Sequence, residues 1–266
     1  REHPLRRFLR FYLRGVFFAL PIVLQIATVV GVRLSHGFTD GEATAVMIGS
    51  ILSFLATGGF SQAIGRLGTT YTSRSAFHLA RHLVLRMILY GLAAALVTGA
   101  VWLVVGLTLD PFPRRVVLVA LVYHLVLSWL WLVLAILYML EKRALVIATA
   151  ALWLAIFAVL AGGFGLSVEV AQVAGYAVAA TLATVVGRHV LRGLERKTPV
   201  AARLERLPRA PVLVHGTIPY FAYGVLYFLM LFADRIVGWS MSPPEGYALY
   251  FDREYELGLD WALLSL

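Results

Sequence analysis

Recurring long apolar runs constrain this chain more than any other feature. Stretches of about 20 predominantly apolar residues return along the whole sequence, and a helix of that length crosses about 30 Å of bilayer hydrocarbon. Hydrophobic residues make up 61% of the chain and charged residues 14%, whereas soluble domains average about 45–50% and about 25%. The sequence therefore predicts an all-α polytopic membrane protein.

The order of the apolar runs predicts a division into two lobes. A basic segment separates the sixth run from the seventh, so we expect a six-helix N-terminal lobe at 1–187, a basic cytoplasmic linker at 188–210 and the start of a second lobe at 211–266. An eighth span begins where the chain stops, which suggests a fragment of a longer protein. The seven complete spans are predicted at 11–32, 43–64, 83–107, 116–140, 144–164, 168–187 and 219–240.

Charge predicts the orientation of these spans. The net charge of +9 is spread over the loops, which indicates orientation in a bilayer rather than nucleic-acid binding. If successive loops lie on alternate sides of the membrane, most of the 23 Lys and Arg residues lie on the same side as the N-terminus. The positive-inside rule then predicts that this side is cytoplasmic. The adjacent pair Arg114 and Arg115 runs against this rule. The opposite side holds Arg33, Arg114, Arg115, Arg235 and Arg253.

Sequence motifs favour a protein without an enzymatic centre. The sequence has no cysteine, which excludes disulfides and thiolate metal sites. It also lacks the HExxH, GxSxG and P-loop patterns. We therefore expect no enzyme activity, no cofactor and no metal site.

Four polar or bent positions inside two spans are candidates for function. His124 and Ser128 share one face of the fourth span, because residues four apart on a helix are neighbours. They either contact substrate in a cavity or form a structural hydrogen bond to another helix. In the first span Gln25 follows Pro21, and proline bends a helix. Gln25 is a substrate-path candidate and Pro21 a hinge candidate.

Side chains of two kinds mark faces on the last two spans. Tyr220, Tyr223, Tyr227 and Asp234 fall on one stripe of the seventh span, and phenol rings with hydroxyls suit sugar rings. The alternative is an aromatic packing stripe. On the sixth span small residues recur every fourth position around Gly175, a pattern that lets helix backbones approach closely.

The seventh span also carries a family resemblance. GVLY at 224–227, Asp234 with Arg235, and Trp239 with Ser240 resemble the first helix of the second lobe in Pel-type exopolysaccharide exporters. These belong to the multidrug/oligosaccharidyl-lipid/polysaccharide (MOP) exporter superfamily. LSWLWLVLAILYMLEKRALVI, from the fourth to the fifth span, is similar in its Ser, Trp and basic turn. Of that family's Ser-Gly-Pro bend in the first helix, only the proline, Pro21, is present.

The resemblance implies a transporter of the bacterial inner membrane. Two six-helix lobes would face a central cavity and move a polysaccharide or lipid-linked glycan by alternating access. Its partners would be the lipid bilayer, the glycan and other subunits of an exopolysaccharide synthesis complex.

Two alternatives stay open. One is an ion-coupled multidrug exporter of the same superfamily, and the other is a membrane enzyme or subunit of a glycan-synthesis complex. Drug exporters often place a carboxylate deep in the first lobe, whereas the acidic residues here fall near predicted loops. These residues are Asp40, Glu42, Asp110, Glu141 and Glu169.

Overall fold

Six long helices form the part of the chain that the computed structural model describes, which is residues 39–196, 210–241, 243–252, 254–256 and 258. A π-helical turn, Val159–Gly163, extends the fourth helix. The helices are α1 Asp40–Ser73, α2 Phe77–Thr108, α3 Arg114–Met139, α4 Arg143–Ala158, α5 Val168–Arg196 and α6 Ala210–Ser240.

Each of the six helices is long and apolar enough to cross a membrane, with α4 counted together with its π-helical turn. The all-helical fold predicted from composition is therefore confirmed for the described residues, and the six helices are consistent with a multi-pass membrane protein. The predicted span at 11–32 lies outside them, as does most of the predicted start of an eighth span. The totals of seven and eight, and the likeness to the exporter fold, stay predictions.

Several helices extend beyond the spans predicted from apolar residues alone, and two of these extensions fall on the predicted linker and second lobe. α5 continues nine residues past the predicted end at 187. No proline interrupts this stretch, and Leu191 within it remains buried. The first part of the predicted linker, 188–196, is thus helical. α6 begins at 210 rather than 219, so Pro219 lies inside the helix. The lobe boundary itself stays a prediction.

The connections gather at two ends of the helical bundle. At one end lie the turns at Ser75 and at Glu141, both with positive φ, and an ion pair joins Arg81 of α2 to Glu195 of α5. At the other end lie the start of α1, the connections 109–113 and 164–167, and the residues that follow α6. This second end carries the pocket described below.

Close helix contacts at glycines hold α1 between α3 and α6. A Cβ added at Gly49 of α1 would lie 2.5 Å from the carbonyl oxygen of Ala120 in α3. A Cβ at Gly224 of α6 would lie 2.5 Å from the carbonyl oxygen of Gly58 in α1. Real Cβ atoms do not come so near a backbone atom, so only glycine permits these separations.

The small residues predicted as a ridge on the sixth span lie between α5 and its neighbours. A Cβ on Gly175 would lie 2.9 Å from the carbonyl oxygen of Trp153 in α4. Further along the ridge, Ala183 is buried in a cluster with Val133 and Leu137 of α3. The ridge therefore seats α5 against both α3 and α4.

Candidate binding pocket

A polar pocket of about 150 Å³ opens at the end of the bundle where α1, α3 and α5 begin. Its walls combine two carboxylates, one guanidinium, a tyrosine ring and small apolar side chains. The lining residues are Thr39, Gly41, Glu42, Ala45, Pro113, Arg115, Val116, Val119, Glu169 and Tyr247.

Helix starts place the charged side chains in this pocket. A capping box begins α1, in which the Glu42 amide donates to Thr39 Oγ1 at 3.3 Å and the Thr39 amide donates to Glu42 Oε2 at 3.0 Å. Glu169 lies in the first turn of α5. Carboxylates are favoured at these positions because the exposed amides of a helix N-terminus carry partial positive charge.

Arg115 bridges the two carboxylates across the pocket. Its Nη2 lies 2.8 Å from Glu42 Oε1 and 3.2 Å from Glu169 Oε2. The Arg115 side chain is 69% exposed while that of Glu169 is 10% exposed, so the guanidinium covers a largely buried carboxylate. The three groups together carry a formal charge of −1. Because Arg115 is exposed, solvent screens the attraction and the ion pairs add little to folding stability.

Buried polar side chains continue from the pocket into the bundle. Tyr123 Oη donates to Gln172 Oε1 at 2.6 Å, and Gln172 Nε2 donates to Tyr176 Oη at 3.3 Å. The tyrosine hydroxyl also lies 3.4 Å from the main-chain oxygen of Glu169. All three side chains are buried. This polar chain, Tyr123–Gln172–Tyr176, links α3 to α5 by hydrogen bonds and begins next to Glu169 of the pocket.

One aromatic side chain, Tyr247, lines the pocket and packs against two further aromatic rings. Tyr247 packs edge-on against Phe112 and Tyr250, with ring centroids 6.3 Å and 4.9 Å apart. Burial, followed by the negative charge of Asp40 and the contact with Tyr247, raises the pKa of Tyr250 above its ordinary value. The raised pKa keeps the Tyr250 phenol neutral at physiological pH, and both tyrosine rings offer flat apolar surfaces.

His124 and Ser128, the predicted pair on the fourth span, lie buried in α3 and do not line the pocket. His124 Nε2 is 2.8 Å from the carbonyl oxygen of Ala95 in α2. This is the contact that the structural interpretation of the pair expects. A role in substrate binding is not tested by this geometry and stays a prediction.

The predicted stripe on α6 is divided between two environments. Tyr220 is half-buried against the cluster that contains Ala63 and Ile64. Tyr223 and Tyr227 are 53% and 47% exposed, and their rings stack with centroids 6.1 Å apart.

Asp234, the last member of the stripe, is also exposed, and its Oδ1 accepts a hydrogen bond from the amide of Arg235. The structure thus brings Tyr223 and Tyr227 together and leaves them, with Asp234, facing away from the described helices.

The remaining predicted positions, Gln25 and Pro21, lie outside the described residues. Within the described part of the chain, no group of three or more His, Cys, Asp or Glu side chains is arranged to hold a metal ion.

Sequence reasoning missed the pocket residues, although two signals for them were present. Arg115 belongs to the pair that runs against the positive-inside rule, and an arginine on the disfavoured side needs a counter-charge. Glu169, Gln172 and Tyr176 recur at positions i, i+3 and i+7, which places them on one face of a helix. The prediction that the acidic residues lie near loops left their burial open, and Glu169 is buried.

Comparison with known proteins leaves the pocket as the main source of functional inference. No protein-family model, no curated protein and no solved structure matches the chain.

Proposed function

We propose that the chain belongs to a membrane transporter that exports or flips a polysaccharide or lipid-linked glycan. The observation that carries this proposal is the pocket of Glu42, Arg115, Glu169 and Tyr247, continued inward by the chain Tyr123–Gln172–Tyr176. Polar side chains are rare inside membrane bundles and commonly mark the path of a polar solute, which favours a polar cargo.

The chemistry of the pocket suits a sugar ring. Carboxylate oxygens of Glu42 and Glu169 accept hydrogen bonds from hydroxyl groups, and the exposed guanidinium of Arg115 donates to ring and hydroxyl oxygens. Tyr247 supplies a flat apolar surface for the C–H face of a ring. Concave sites with an apolar wall and a few convergent polar groups are typical of small-molecule binding.

The exposed face of α6 supplies a second surface in this proposal. Tyr223, Tyr227 and Asp234 point away from the described bundle, as they would if they faced a cavity shared with a second lobe. Polar groups on a membrane helix require partners that lipid does not supply. In our proposal the glycan supplies them, and the bundle alternates access with the N-terminus in the cytoplasm of a bacterial inner membrane.

A second candidate, an ion-coupled multidrug exporter, is favoured by one observation. Glu169 is a carboxylate that is only 8% exposed between helices, and such a group can bind a cation in place of Arg115. The two candidates differ in cargo, since the exporter would move an amphipathic dye and the glycan transporter would not.

Translocation in vesicles tests the proposal. Vesicles of phosphatidylethanolamine and phosphatidylglycerol would contain the full protein and a fluorescent lipid-linked oligosaccharide, and a lectin added outside would report the oligosaccharide in the outer leaflet. We expect the lectin-reachable fraction to rise faster than in protein-free vesicles. Changing Tyr220, Tyr223 and Tyr227 to Phe should slow this rise without lowering the melting temperature. If an amphipathic dye crossed the membrane of these vesicles and the oligosaccharide did not, the second candidate would replace the proposal. If neither crossed, both candidates would be contradicted.

A further inference from the structure

The residues after α6 turn back and lie across the end of the bundle that holds the pocket. We call residues 243–252 and 254–256 the strap. It contacts α1, the connection between α2 and α3, and the end of α6 through three separate main-chain donors. The hydrogen bonds run from Ala248 N to Pro111 O at 2.9 Å, from Tyr250 N to Trp239 O at 3.1 Å and from Phe251 N to Thr44 Oγ1 at 3.0 Å.

The strap contributes one side chain, Tyr247, to the wall of the pocket. Tyr247 lines the pocket directly, and its hydroxyl would be 2.9 Å from a Cβ added at Gly41. Together with Leu249 it packs on a buried apolar cluster that includes Ala45 of α1 and Val116 of α3. Ala45 lines the pocket but is only 1% exposed. Tyr247 and Leu249 therefore cover part of the apolar side of the pocket.

A buried ion pair anchors the far end of the strap. Arg235 Nε lies 3.1 Å from both carboxylate oxygens of Glu256, and these residues are 6% and 1% exposed. Burying two charges removes their hydration, which offsets much of their mutual attraction. An anchor of this kind fixes a geometry strongly while contributing little net stability, so its release need not unfold the bundle.

Beside its buried Phe251, whose ring packs against Trp239 with centroids 5.7 Å apart, the strap has an exposed outer part. Glu245, Gly246 and Ala248 are exposed, and Gly246 turns the chain with a φ of +80° and open space around it. The three hydrogen bonds are isolated rather than part of a helix or a strand ladder. Isolated hydrogen bonds along an exposed segment break at lower free energy than those within the helices on which the segment lies.

We propose that the strap is a releasable cover for the pocket, held closed by the Arg235–Glu256 ion pair and opened when solute enters or leaves at this end. Its role in admitting a glycan rests on the proposed function, but the closure itself does not.

Thiol labelling tests the closure, because the chain contains no cysteine. In the purified full protein, Ala45→Cys would report the pocket and Ala63→Cys, which is fully buried elsewhere, would report unfolding of the bundle. A water-soluble maleimide would be added to each reporter with and without Glu256→Gln. We expect Glu256→Gln to speed labelling at position 45 at least tenfold and to leave position 63 unlabelled. Glu254→Gln, which removes an exposed charge two residues away, should change neither rate.

A second variant covers the case in which loss of the Glu256 carboxylate prevents folding. Ala248→Pro removes the amide that donates to Pro111 at an exposed position, and it should speed labelling at position 45 about threefold. An unchanged rate at position 45 in the variants that fold would overturn the proposal. Equal acceleration at positions 45 and 63 would also overturn it, because the ion pair would then hold the whole bundle rather than a cover. The assay needs no substrate, so a failed glycan assay would leave its result intact.

Discussion

At the scale of single residues, Arg115 explains why one basic pair stands on the side of the chain with few positive charges. Its guanidinium lies between Glu42 and Glu169, so its charge is compensated locally. These partners are 73 and 54 residues away in sequence. The sequence could show the exceptional charge, but only the packing of α1, α3 and α5 could show which carboxylates compensate it.

Tyr123 offers a direct measure of the buried polar chain. Tyr123→Phe keeps the ring and removes the hydroxyl that donates to Gln172 at 2.6 Å, which leaves a buried amide oxygen without this donor. We expect the free energy of unfolding to fall by about 1–3 kcal/mol, measured by denaturant titration in detergent. The matched control is Tyr223→Phe, whose hydroxyl is on an exposed ring and whose stability should be unchanged. If both variants were equally stable, the hydrogen-bonded side chains Tyr123–Gln172–Tyr176 would contribute nothing to folding stability.

At the scale of helices, apolar length and small-residue spacing predicted most of the elements but not their partners. The ridge around Gly175 was readable from its four-residue spacing, whereas its contact with Trp153 of α4 was not. The apolar runs also predicted helices that are too short, ending α5 at 187 instead of 196 and starting α6 at 219 instead of 210. The α5 helix continues through the basic residues at 188–196. Long cationic side chains can reach water while their backbone stays helical, so the end of the apolar run does not mark the end of the helix.

The contact between α6 and α1 gives a prediction with a control on the same helix. Gly224→Ala would place a methyl group 2.5 Å from the carbonyl oxygen of Gly58, and forcing these backbones apart should cost about 1–3 kcal/mol. Gly216→Ala meets nothing within 4 Å and should be neutral or stabilising by up to about 1 kcal/mol, because alanine favours helix. Thermal unfolding followed by circular dichroism compares the two. A Gly224→Ala protein as stable as the parent would contradict the close contact.

At the scale of the whole molecule, composition alone was enough to predict a multi-pass helical protein, while the candidate site required the fold. His124, Ser128 and the α6 tyrosines were selected because each is polar within an apolar run. The pocket instead collects residues from four separate segments, each close to a helix end, where polar residues are common. Proximity of this kind arises only when the helices pack, so single-span patterns could not reveal it.

The central claim is that the pocket contacts the transported glycan, and neighbouring arginines test it most directly. Arg115→Gln removes the guanidinium that lines the pocket, while Arg114→Gln removes an exposed charge one residue earlier that does not line it. Both variants would be produced in cells that export the glycan, and exported glycan would be divided by the amount of membrane-inserted protein. We predict a loss of about tenfold or more for Arg115→Gln, because charge-assisted hydrogen bonds to the substrate are lost, and no change for Arg114→Gln. Equal export by the two variants would contradict the claim.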